Sequence, residues 1–372
     1  MTTAHVPTRP FGALVRERGD RPILARFGPN WFATVMGTGI VANAAALLPV
    51  EVPGLLAFAR SVWVLDAVLL VLVVVATVLH WHHHRATAAG HLDDPVMAHF
   101  YGAPAMALMT VGAGALLVGV PVVGLPVALG LDAALWTAGT VLGLWTAVAV
   151  PVKVFTSHEV APGDAFGGWL MPVVPPMVSA ATGTLFLPHL PAGQWRLTLL
   201  CACLTMFGLT LVASLVVITQ IWDRLVHHKV GAAAAVPTLW IVLGPLGQSI
   251  TAAHNLGLAA PGVLPAPYGR GFQALALVFG LPMWGFAMLW LAIAASITVR
   301  TARVGLPFTL TWWSFTFPVG TVVTGTSGLA TLTGAHVLVA ASLLFYIGLL
   351  FAWAVVAVRT AHGVCAGHLL RS

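Results

Sequence analysis

Charge is what this chain has least of: only 7% of its 372 residues are Asp, Glu, Lys or Arg. That scarcity, beside 59% hydrophobic residues and a mean hydropathy of +0.97, excludes a solvated globular domain with a polar coat. Cysteine is scarce too. Cys201 and Cys203 share one apolar run and Cys365 lies near the C-terminus, which is no disulfide framework. No Walker motif, dinucleotide fingerprint or nucleophile–base constellation occurs, which argues against an ATP-driven pump and against an enzyme. A membrane haem protein would need paired histidines within its apolar runs, and only His254 lies well inside one. The net charge of +6 implies no nucleic-acid partner, because its distribution follows a membrane surface.

What the chain does have is apolar length. Ten runs approach the ~20 residues that a bilayer span needs. They are Trp31–Val50, Val62–Leu79, Ala103–Val120, Ala133–Val150, Gly168–Leu187, Leu197–Ile221, Leu239–Leu256, Phe272–Ile297, Thr309–Leu329 and Val337–Val358. The runs are continuous and do not alternate, so they predict helices and not a barrel. The expected organisation is a basic cytoplasmic segment over 1–30, an all-α polytopic transmembrane domain over 31–358 and a cytoplasmic tail over 359–372. No cleavable signal peptide is expected, since the first apolar run starts late. All but Arg60, Arg196 and Arg270 of the 16 Lys and Arg fall on one side of this topology, which places both termini in the cytoplasm.

Short loops make the ten runs five hairpins, and the odd members differ from the even ones. The odd runs carry Gly37 and Gly39, then Pro104, then Pro172, Pro175 and Pro176, then Pro245, then Pro318. They also hold Thr38, Gln248, His254, Ser314 and Thr321. The even runs are smoother, with Pro282 the exception. Prolines inside helices kink them, and kinks in alternate helices predict a cavity lined by the odd set, with the even set facing lipid. The odd runs contain no acidic residue, which disfavours a cation channel and favours an anion. Lys153 is the candidate cation at the cytoplasmic mouth. Asp66, the one acid within a run, is expected to pair with Arg60 or to cap its own helix. The tract His80-Trp81-His82-His83-His84 makes a poor metal site, because consecutive histidines on a helix point in different directions. No cofactor and no metal are expected.

Three stretches carry a resemblance. They are Phe27-Gly-Pro-Asn-Trp-Phe-Ala-Thr-Val-Met-Gly-Thr-Gly39, Trp169-Leu-Met-Pro-Val-Val-Pro-Pro176 and Trp312-Trp-Ser-Phe-Thr-Phe-Pro318. Together, over about residues 25–360, the chain resembles the tellurite-resistance/dicarboxylate transporter family. Its relatives include slow anion channels, malic acid transporters and sulfite efflux proteins. The resemblance implies ten helices in five hairpins, a quasi-fivefold ring around a central pore, and a homotrimer in the inner or plasma membrane. It also implies a phenylalanine gate on the ninth helix. Phe317 best fits that position, with Phe315 as competitor and Gly37 or Gly39 opposite. Small anions such as malate, sulfite, chloride or nitrate are the implied substrates. A proton-coupled carrier, with His254 as coupling residue, is the alternative within transport. A metal-binding membrane sensor using the histidine tract is the alternative of another class.

Overall fold

The computed structural model describes residues 23–367 and 369. Most of the basic segment expected over 1–30, and the end of the tail, lie outside these residues. Every element described is helical. Seven helices are long and apolar enough to cross a membrane: α2 (Leu55–His83), α3 (Met97–Val123), α4 (Leu125–Thr156), α6 (Gln194–His228), α7 (Ala233–Gly262), α8 (Tyr268–Val304) and α10 (His336–Cys365). Three shorter α-helices stand where the remaining runs were expected: α1 (Phe32–Ala46), α5 (Pro175–Gly183) and α9 (Phe317–Thr333). The even helices overrun the expected spans at both ends. Helical hydrogen bonding continues past the apolar core into polar interfacial residues such as Arg60 and His82, where hydropathy alone stops.

The odd elements share one construction. A 3₁₀ turn leads into an α-helix at Pro29–Trp31, Met97–Tyr101, Gly167–Leu170, Ala233–Val242 and Leu310–Phe315. The prolines sit at the start of the α portions. Pro175 and Pro176 open α5, Pro318 is the second residue of α9, and Pro104 and Pro245 fall in the first α-turns of α3 and α7. Pro175, Pro176 and Pro318 thus stand in a first turn, where the missing N–H has no α-helical partner to lose and proline starts a helix without distorting it, whereas Pro104 and Pro245 follow directly on the 3₁₀ segments of α3 and α7. Pro172 lies in the turn before α5, and its carbonyl accepts a hydrogen bond from the Thr146 hydroxyl at 3.3 Å.

Burial separates the two sets. The most apolar stretches of α2, α4, α6, α8 and α10 are 22–33% buried, against 61% for α3 and 78% for α7. Nearly every residue of α1, α5 and α9 is buried. Contacts run from α1 to α3, α3 to α5, α5 to α7, α7 to α9 and α9 back to α1. The even helices cover the outside of this circuit.

Indole N–H groups tie the outer helices to the inner ones. Trp63 of α2 donates to the Val111 carbonyl of α3 at 3.0 Å, and Trp136 of α4 to the Ser179 carbonyl of α5 at 3.0 Å. Trp284 of α8 donates to the Thr326 hydroxyl of α9 at 2.9 Å, and Trp353 of α10 to the Thr38 hydroxyl of α1 at 3.2 Å. In each case an outer helix fastens the inner helix of the next hairpin, and the last fastens the first. Such bonds satisfy an indole that an apolar surrounding would otherwise leave unpaired.

Candidate functional site

The five 3₁₀-to-α junctions meet. A narrow cavity of about 30 Å³ lies between them, and each odd element lends it residues: Met36 from α1, Met106 from α3, Val174 at the head of α5, Gly244 from α7 and Phe317 from α9. Ser314, just before α9, supplies the only hydroxyl in the lining. The wall is otherwise apolar, and Phe317 is 3% exposed. An apolar constriction of this size excludes a hydrated ion. Residues in or beside the first turns of all five α portions line it.

Phe317 and Phe315 take different places. Phe317 faces the cavity together with Pro318, whereas Phe315 packs edge-on to Trp240 and Trp312, at 5.2 and 5.7 Å between ring centres. The two first-helix glycines also differ. Gly37 leaves room for Trp313 and for Thr316, the residue preceding Phe317. Gly39 leaves room instead for the carboxylate of Asp66 and the methyl of Thr110, in the seam between α1, α2 and α3. Neither glycine lines the cavity: Gly37 backs onto Trp313 and Thr316 beside it, and Gly39 lies in a packing seam.

Hydroxyls expected to line a path are mostly spent elsewhere. Thr38 accepts from Trp353, and Thr321 donates to the carbonyls of Leu243 and Pro318 at 3.1 and 2.7 Å. Thr251 and Thr324 bond each other at 2.7 Å across α7 and α9. In apolar surroundings a hydroxyl bonds the nearest backbone or helix neighbour, and small polar residues let helices approach closely. Gln248 is buried in α7 outside the cavity lining, and His254 packs over Gly328 of α9. Pro175 packs its ring toward Gly143 of α4. Of the expected lining residues, Ser314, Phe317 and Pro318 reach the cavity; Pro104, Pro172, Pro176 and Pro245 shape the junctions around it.

Lys153 is corrected as a free cation at the mouth. Its ammonium is paired with Asp93 in the loop before α3. That hydrogen bond, and then the charge behind it, hold the Asp93 carboxyl below the usual carboxylate range. The basic group beside the site is Arg359 of α10. It borders a cleft of about 710 Å³ that shares Leu310 with the cavity wall, and His362 and Asn30 line the same cleft. The Arg359 guanidinium stacks over Trp312 at 4.9 Å and Phe308 at 5.8 Å, which holds it in place, and among the described residues no acid pairs with it. Sequence reading counted Arg359 only among topological charges.

The histidine tract disperses as its spacing predicts. His80 is buried, bonded to the Leu24 carbonyl at 2.5 Å and stacked on His91, whereas His82 and His83 are exposed. Burial, and then the neighbouring His80, hold His91 below its ordinary range. Among the described residues no three His, Cys, Asp or Glu side chains converge as metal ligands.

Sequence reading missed Asp132 and misplaced Asp66. Both are fully buried, and neither carboxylate has a hydrogen-bond partner. Asp66 forms no ion pair with Arg60 among the described residues. Asp132 escaped notice because the fourth span was expected to begin one residue later; a single acid embedded in the apolar run from Leu125 onward was the available signal.

Comparison with known proteins bears on this geometry. Residues 26–361 match the model of the SLAC1 family, described as voltage-dependent anion channel. The chain is 28% identical to a protein named sulfite efflux pump from Arthroderma otae, over 97% of this chain and 96% of that one. It is equally similar, at 28%, to a sulfite efflux pump of Trichophyton rubrum with the same coverage. An uncharacterized transporter of Methanocaldococcus jannaschii is 28% identical over 94% of this chain and 96% of its own length. A match across nine-tenths of the sequence, joined to an all-helical multi-pass architecture, settles the grouping: the chain belongs to the SLAC1 family of voltage-dependent anion channels.

Proposed function

We propose that the protein conducts small anions across a membrane through the centre of the five odd segments, with Phe317 as the closing element. Ten spans in five hairpins then form a quasi-fivefold ring, the short helices α1, α5 and α9 completing their crossings with the flanking 3₁₀ turns. The observation that carries this reading is the cavity to which all five odd segments contribute and which Phe317 walls off. Anion preference rests on two supports: no acidic side chain in the lining, and Arg359 at the adjoining cleft. Sulfite is the first substrate to test, because two of the relatives are named for its efflux. Malate, nitrate and chloride follow from the wider resemblance. A homotrimer with one path per subunit, in a plasma or inner membrane with cytoplasmic termini, completes the proposal.

The test is radiolabelled or electrode-detected flux of sulfite, malate, nitrate and chloride into proteoliposomes, for the parent and Phe317→Ala. Faster flux of at least one of these anions in the variant, with cation flux unchanged, supports the reading. Equal flux in both, at equal incorporation, removes Phe317 as the gate. No anion flux in either overturns the function.

A further inference from the structure

Asp66 and Asp132 occupy equivalent places. In four hairpins a glycine of the inner helix opens a slot that a residue of the outer helix of the same hairpin enters, alongside Thr110 at Gly39, Leu135 at Gly112, Trp136 at Gly183 and the Phe272 carbonyl at Gly257. The pairs are Gly39 with Asp66, Gly112 with Asp132, Gly183 with Cys203, and Gly257 with Ala276. In the third and fourth hairpins the outer-helix residue at the glycine is small and neutral, so an approach of this kind does not require a carboxylate. The first two slots nevertheless hold one, and no atom of either carboxylate is hydrogen-bonded.

Nothing nearby neutralises them. Within the bilayer-spanning parts, α1 and α3 carry no titratable or charged side chain against Asp66; His99 and Tyr101 stand at the start of α3. On α2 itself the nearest cation is Arg60, which makes no ion pair, and His80 is bonded to Leu24 at the far end. On α10, which meets α2 through Trp353 and Phe58, Arg359 and His362 lie at one end and His336 at the other, and the buried Tyr346 between them donates to the Val41 carbonyl of α1 at 3.4 Å. Around Asp132, α3 and α5 offer none, Lys153 of α4 is taken by Asp93, and Arg196 of α6 bonds the Leu190 and Pro188 carbonyls. One further acceptor in the first seam is unpaired: Asn43 Oδ1, one turn beyond Gly39. Its amide nitrogen donates to the Thr110 carbonyl at 3.0 Å. The donors of this seam, the Asn43 amide, the Thr110 hydroxyl and the Trp63 indole, are given to backbone carbonyls, so the Asp66 carboxyl and Asn43 Oδ1 are left without one, which calls for a proton. An ionised carboxylate enclosed there is strongly disfavoured, and ionisable groups in this position in a membrane serve function.

We propose that Asp66 and Asp132 are proton-binding sites in the seams behind the inner helices, and that anion flux is linked to their protonation through α1 and α3. This deepens the anion-conduction reading and rests on it. With its proton each side chain is a small neutral wedge, equivalent to Cys203 and Ala276. Losing the proton puts bare charge against the inner helix, which draws in water and parts the seam. For Asp66 the route to the gate is short. Two residues before Gly39, Gly37 rests on Thr316, and Thr316 precedes Phe317. Flux therefore rises as pH rises.

The experiment uses the full-length protein in proteoliposomes with equal pH on both faces, scanned from acid to alkaline, with sulfite and nitrate as probes. The parent, Asp66→Asn, Asp132→Asn and the double variant are compared, and infrared spectra of each are taken near neutral pH. Asparagine has the shape of the neutral acid, so all variants are expected to fold. The parent is expected to show a carboxylic-acid carbonyl band that the double variant loses, and a several-fold rise in flux toward alkaline pH. Each single variant flattens the rise, and the double variant stays at the acid level throughout. The proposal is overturned by a double variant that keeps the parent's pH profile, by a missing carbonyl band, or by Asn variants that fail to fold, which would mean the slots require charge. Flux that depends on sodium or potassium instead of pH, and loses that dependence in the variants, assigns the slots to a metal cation and also overturns it. Absence of anion flux in the parent, with the carbonyl band present, separates failure of the underlying function from failure of proton binding.

Discussion

Phe317 concentrates the argument in one side chain. It is buried, it faces the cavity, and its removal leaves space where a hydrated anion can enter. Phe317→Ala is expected to raise anion flux severalfold while lowering stability by about 3 kcal/mol, the usual cost of emptying a buried phenylalanine site. Flux and thermal melting in detergent check the two parts separately. Arg359 and Lys153 give a contrasting pair. Arg359→Gln is expected to slow anion flux at low ionic strength, with the deficit shrinking as salt is added, because attraction across an open cleft is screened within about 10 Å at 0.1 M. Lys153→Gln is expected to leave flux near the parent value, since its charge is already met by Asp93. The family resemblance, placed by the Phe-Pro step, points to Phe317, but sequence patterns cannot rank a lysine and an arginine near helix ends. Whether a cation faces a partner or an opening depends on residues far away in the chain.

The junction between 3₁₀ turn and α-helix is the repeated unit at the next scale. It places a proline where a helix can accept one and brings five such starts to a single point. Close approach of backbones holds the junctions together. At Gly102, in the first α-turn of α3, a Cβ would collide with the Met171 carbonyl just before α5. Gly102→Ala is therefore expected to cost about 3 kcal/mol through overpacking, read as a lower melting temperature and reduced folded yield. The indole ties set the spacing of outer and inner helices. Trp136→Phe, which keeps most of the ring and loses the N–H to Ser179, is expected to cost about 1 kcal/mol, seen in the same melt. Apolar runs, and the odd–even contrast among them, were legible in the sequence. The role of proline was not, because a proline reads the same whether it bends a helix or begins one. Only the hydrogen bonding of the preceding residues tells the two apart. Thr38 and Thr321 were misread for a like reason: a hydroxyl in an apolar helix can face a void or a neighbour, and here both found neighbours.

At the scale of the molecule, topology yields a further prediction. Arginines and lysines concentrate on the side of the chain ends, so Cys365 at the exposed end of α10 is expected to face the cytoplasm. A membrane-impermeant maleimide should then label Cys365 in inverted vesicles and not in intact cells. Cys203 is buried and Cys201 lies on the outer surface of α6, within its apolar span, so neither competes for an aqueous reagent. Labelling of Cys365 from outside intact cells would reverse the topology. What the sequence by itself determined is the class of molecule. Ten apolar runs with almost no charge leave no structure but membrane helices, since backbone polar groups in lipid must be satisfied within the segment. What only the tertiary structure decided is which polar groups are left over. Lys153 meets Asp93, the hydroxyls meet carbonyls and indoles, and Arg359 is held against two rings at an open cleft. Among the described residues Asp66 and Asp132 find no hydrogen-bond partner. Pairing is a matter of distance between side chains from different helices, and that distance is fixed by how the hairpins close on one another, which no local pattern encodes.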